Sequence, residues 1–86
     1  MSRAKKPQHV LVVWLDAAGG EDADEPILAL TAGWLIKETP EYIVVASELF
    51  EDGSCRDKTA IPRSIVKLVM ARRIQLPEPF TNWRQG

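Results

Sequence analysis

Turn signals recur roughly every ten residues along this chain, and the runs they leave between them are too short for packed helices. The stretch "AAGGEDADEP" (17–26) is rich in glycine and acid, "TPE" (39–41) holds a proline, "EDGS" (51–54) holds an Asp-Gly pair, and "IPRS" (61–64) holds another proline. Asp-Gly readily takes up the positive-φ geometry of tight hairpins, and proline pre-sets one turn dihedral while removing a ladder donor. Between these breaks lie "HVLVVWLDA", "ILALTAGWLIKET", "YIVVASELF", "CRDKTAIP" and "SIVKLVM". β-branched and aromatic residues dominate them, so five short strands are expected and the fold class is all-β. A helix over "SIVKLVMARR" is the second reading, since Ile65, Leu68, Val69 and Arg72 fall at helical spacing. Two β-branched residues directly after a proline turn favour the strand.

Alternation within the runs assigns faces. In the first, Leu11, Val13 and Leu15 point one way and Val12 and Trp14 the other, so both faces are apolar. Such a strand is buried on both sides or meets another subunit through its outer face. In the second, Gly33 stands mid-strand, where a bend or a close backbone approach is expected. The third sets Tyr42, Val44 and Ala46 against Ile43, Val45 and Ser47.

Three segments follow: a basic, flexible N-terminus (1–8), a β-barrel domain (9–73) and an extended Pro/aromatic arm (74–86) carrying Phe80 and Trp83. The chain has 86 residues, one small domain whose modest core invites oligomerisation. Trp14, Phe80 and Trp83 are the candidate oligomer contacts, because large aromatics seldom stay in water. The alternative for the arm is packing onto its own barrel. One cysteine, Cys55, excludes an intrachain disulfide and suits a reducing cytoplasm. No apolar run reaches the length of a membrane helix, and "VLVVWL" is too short for a signal-peptide core. A cytoplasmic protein without a membrane partner is expected.

Charge is segregated although the net is −1. Arg56, Lys58, Arg63, Lys67, Arg72 and Arg73 stand against Asp57 alone in residues 55–73, while acids dominate residues 16–25 and 37–54. The near-neutral total argues against a general nucleic-acid coat and leaves room for one local anion-binding face, with a solvated strand face of interspersed charge as the alternative. Arg63, Lys67, Arg56 and Lys58 are the candidate phosphate donors, and Ser64 offers a hydroxyl and an N–H after the proline turn. Trp34 and Tyr42 are candidates for stacking on a base, with a core role as the alternative for Trp34. Catalysis finds little support: His9 is the only histidine, and no serine lies in a nucleophile elbow. The acids of "EDADE" lack the glycine and terminal glutamate of a calcium loop. Neither a catalytic residue, a metal nor a cofactor is expected.

The segment "AIPRSIVKLV" resembles the end of a Src-homology-3 barrel, in which a short 3₁₀ turn leads into the last strand. Ile61, Pro62, Ser64, Val66 and Leu68 occupy comparable places, and the "DG" and "GW" pairs recur in such barrels. The aromatic groove of that family has no counterpart, and Ile65 stands where its second tyrosine would be, so polyproline recognition is not implied. Residues 9–70 are similar to small bacteriophage-encoded proteins that share a "GWLIKETPEYIVVASELFEDG"-like hairpin followed by "IPRS". The expected strand order also resembles the Sm-like barrel, whose subunits form rings and bind nucleotides or RNA at the rim, as an analogy of architecture. Together these resemblances imply a five-stranded SH3-like/Sm-like barrel. The leading functional expectation is a non-enzymatic homo-oligomer that binds a nucleotide or RNA, plausible as a phage protein sequestering a host nucleotide immune signal. The alternative is a protein–protein interaction module, such as an inhibitor of a host protein.

Overall fold

A computed structural model describes residues 7–16, 25–78 and 80. Five strands form one antiparallel sheet: β1 (Gln8–Asp16), β2 (Ile27–Glu38), β3 (Tyr42–Leu49), β4 (Cys55–Pro62) and β5 (Val66–Arg72). Their order is β4-β3-β2-β1-β5. The first four strands run as a meander, and the fifth returns to pair with the first, His9 opposite Arg72 and Val13 opposite Leu68. The all-β expectation holds. Closure into a barrel is not reached, because β4 and β5 remain the two edges of an open sheet.

The step from β4 to β5 is a single 3₁₀ turn, η1 (Arg63–Ile65), set up by the extended backbone of Pro62. Proline fixes φ near −65° and has no N–H to donate; here φ is −60° and the chain turns directly after it. Residues 66–72 then continue as a strand, which decides against the helical alternative. The turn packs against β1 and β3, so it crosses one end of the sheet.

Turn chemistry follows the side chains. Gly53 takes φ 91°, where an L-residue is strained, and donates to the Phe50 carbonyl at 3.1 Å. The Asp52 carboxylate accepts from the Ser54 N–H at 2.9 Å and its hydroxyl at 2.6 Å, closing the hairpin between β3 and β4. Those two bonds also hold the Asp52 carboxyl below its ordinary pKa. Thr39 organises the β2–β3 turn: its hydroxyl oxygen accepts from the N–H groups of Glu41 and Tyr42 at 3.1 and 2.9 Å.

The core is small and lies on the inner face of the sheet. Val10, Val12, Ile43, Val45 and Ile61 are fully buried, and Trp14, Leu35, Ile65 and Val66 pack against them. Burying an aliphatic side chain of this kind contributes about 1.5–3 kcal/mol. The even positions of β1 thus face inward and the odd ones outward, as the alternation predicts. Trp14 belongs to the inner set, half-buried, with its indole N–H donating to Thr31 Oγ1 at 2.9 Å.

Gly33 fills the role its position suggests. A Cβ there would overlap the carbonyl oxygen of Ala46 and stand 2.8 Å from Val45 Cγ1. Without one, β2 presses onto β3 and changes partners. Residues Ile27–Gly33 are laddered only to β1, while β3 joins from Trp34 onward. Beyond Leu35 the register shifts, leaving Ile36 as the extra residue of a bulge.

Candidate functional site

The outer face of the sheet ends, toward the start of β1, in the rung Trp34–His9–Arg72. Opposed residues in an antiparallel ladder share a face, and here the imidazole of His9 meets the Trp34 ring edge-on, centroids 5.1 Å apart at 80°. The chain leaving β5 then runs past this rung. Pro7, Gln8, Arg73, Ile74, Gln75 and Leu76 complete the walls of a cleft of about 400 Å³ around His9, Trp34 and Arg72. The Gln8 side-chain amide donates to the Arg72 carbonyl at 3.0 Å, tying the two ends of the chain together.

The electrostatics of the cleft are one-sided. Its lining holds Arg72 and Arg73 and no acid, and neither arginine has an ion-pair partner among the described residues. Among the described residues, His9 Nδ1 is buried without a hydrogen-bond partner. Burial first, and the nearby Arg72 charge second, lower the His9 pKa below its ordinary 6.5, so the ring is neutral at pH 7. A buried polar nitrogen with no partner is uncommon in folded proteins. The cleft therefore offers an aromatic wall and two guanidinium groups. A planar, anionic ligand matches that set.

Trp34 also lines a second, mainly apolar cleft of about 420 Å³, formed by Ser47–Phe50 on one side and Ile74–Pro77 with Phe80 on the other. Residues 74–77 and Phe80 of the arm thus lie beside the chain's own sheet, and Phe80 is half-buried there. Trp83, the other expected oligomer contact, lies outside the described residues.

The remaining candidates are dispersed. Arg63 turns back on the β2–β3 connection: Nε donates to the Thr39 carbonyl at 2.6 Å and Nη2 reaches Glu38 Oε1 at 3.2 Å. Its backbone N–H donates to the Glu41 carbonyl at 2.8 Å. Arg56 pairs with Glu48 across β3 and β4 at 2.6 Å and lies over the Phe50 ring, 5.3 Å from its centroid. That contact holds the Glu48 carboxyl below its ordinary pKa and raises Arg56. Tyr42 and Lys58 share a shallow groove along the outer face of β3 and β4, where Lys37 Nζ sits 5.4 Å from the Tyr42 ring centroid. Ser64 and Lys67 are exposed on η1 and β5. Of the seven ligand-binding candidates, only Trp34 lines the cleft. His9, Arg72 and Arg73 are the members that sequence reasoning passed over. Their signal was faint: a histidine at one chain end and a basic pair at the other, joined only by the β1–β5 ladder.

No group of three or more His, Cys, Asp or Glu residues among those described is arranged to hold a metal ion. Cys55 is a free, half-buried thiol. Among the described residues, no helix is long and apolar enough to cross a membrane. No family model matches the chain, and neither a curated protein nor a solved structure matches it.

Proposed function

We propose that this protein binds a small anionic aromatic ligand, a nucleotide in chemical class, in the cleft around Trp34, and acts by holding the ligand rather than transforming it. The observation that carries this reading is the juxtaposition of Trp34 and His9 with two arginines that have no ion-pair partner among the described residues. Base–aromatic stacking contributes about 1–3 kcal/mol, and the arginines supply charge-assisted donors for a phosphate. The volume suits one nucleotide better than a strand of RNA, since small-ligand sites begin at about 300 Å³. In this reading the open sheet is a variant of the SH3-like/Sm-like barrel. The return of β5 onto β1 and the 3₁₀ turn across one end support that kinship. Sequestering a host nucleotide signal on behalf of a phage is the physiological form this reading takes.

Titration with adenosine monophosphate, adenosine and inorganic phosphate, followed calorimetrically, tests it. The nucleotide should bind more tightly than either fragment, and the double variant R72A/R73A should lose at least tenfold in affinity while keeping its melting temperature. Absence of binding by any nucleotide at millimolar concentration, or unchanged affinity in the double variant, refutes the cleft as the site.

A further inference from the structure

Away from the cleft, the outer face of β2 and β1 carries no charge for three successive rungs, and β5 extends two of them with Met70 and Leu68 before its bulge at Lys67. Leu30, Val13 and Leu68 share one rung and Ala32, Leu11 and Met70 the next, with Leu28 beyond them. Leu28 and Leu30 are 61% and 66% exposed, and Leu68 and Met70 are each 50% exposed. The patch is contiguous and presents on the order of 500 Å² of apolar surface, the upper part of the range found for the largest patch on a monomer. Polar residues would cost nothing on a face turned to water, so an uninterrupted apolar one indicates a cover.

We propose that the cover is a second copy of this chain, packed face to face about a two-fold axis near Val13. Two such faces together bury on the order of 1,000 Å², about the threshold for a specific interface. A two-fold contact must be self-complementary, and an apolar sheet face satisfies that without a matching partner surface. Sheets stack in this way at about −30°.

Sedimentation equilibrium across roughly 1–200 μM, on the full chain and on L30E, L68E and A60E, tests the assignment. Leu30 and Leu68 lie on the face and Ala60 on the exposed outer side of β4. The wild type and A60E should reach twice the monomer mass. L30E and L68E should remain monomeric with melting temperatures within a few degrees of wild type, because both side chains are already half or more exposed. A wild type that stays monomeric at every concentration overturns the proposal, and one that is monomeric yet floats with neutral liposomes does so in favour of a membrane surface. A dimer that survives L30E and L68E also overturns it, since pairing through the free β5 edge would then be the contact.

Discussion

Substituting Gly33 by alanine sets two opposing effects against each other, and the structure decides between them. Glycine inside a strand costs about 0.5–1 kcal/mol relative to alanine through the freedom it loses on folding. On that ground alone, Gly33→Ala should stabilise. But the added methyl group would overlap the Ala46 carbonyl oxygen and stand 2.8 Å from Val45 Cγ1. Val45 is a fully buried core residue and the Ala46 oxygen is backbone, so neither yields without moving β3. Overpacking of a tight site costs about 1–3 kcal/mol, with backbone contacts at the upper end. The net expectation is a loss of about 1–2 kcal/mol, which lowers the melting temperature of a domain this size by roughly 4–16 °C. Urea denaturation followed by far-UV circular dichroism measures it, with the slope m checked for constancy. Adding Val45→Ala should recover only the side-chain part of the clash. An alanine variant as stable as wild type, or more so, would refute the reasoning that β2 changes partners at Gly33 because only glycine lets it lie against β3.

Arg63→Ala should lower stability by about 1 kcal/mol or less, because the contacts to Thr39 and Glu38 are exposed; nucleotide affinity measured on the same variant should not change. His9 gives a pH signature. Its folded pKa lies below its ordinary value, so the unfolded chain takes up the proton first as pH falls. The stability held above pH 6.5 should therefore be lost progressively as pH drops through the lowered folded pKa. Thermal melts from pH 8 to 5 should show that slope, and H9Q should flatten it. Arg56→Ala should let the Glu48 carboxyl titrate at a higher pH, as read by carbon-detected NMR, because the hydrogen bond that lowers it is gone.

Local chemistry made much of this fold legible. The Asp52-Gly53 hairpin, the close approach at Gly33 and the turn after Pro62 each depend on one or two residues whose backbone limits are known in advance. The facing of β1 was legible for the same reason, since alternation needs no partner to be read. What stayed hidden depends on long-range pairing. Gln8 and Arg72 are hydrogen-bonded across 64 positions, and no local pattern says that the two ends of the chain meet. The cleft is made by that meeting, so His9, Arg72 and Arg73 could not be grouped beforehand. Arg63 shows the converse. Its place after a proline marks a turn, yet only the fold reveals that its guanidinium faces Thr39 and Glu38. The aromatic at position 34 was visible as a candidate because its type, rather than its neighbours, suggested the role.

The most direct test of the binding account is a ¹H–¹⁵N correlation spectrum recorded while adenosine monophosphate is added. The account predicts that the Trp34 indole N–H and the backbone amides of His9, Arg72 and Arg73 shift together on one binding curve. Shifts centred instead on Arg63, Ser64 and Lys67, with the Trp34 indole unmoved, would contradict it.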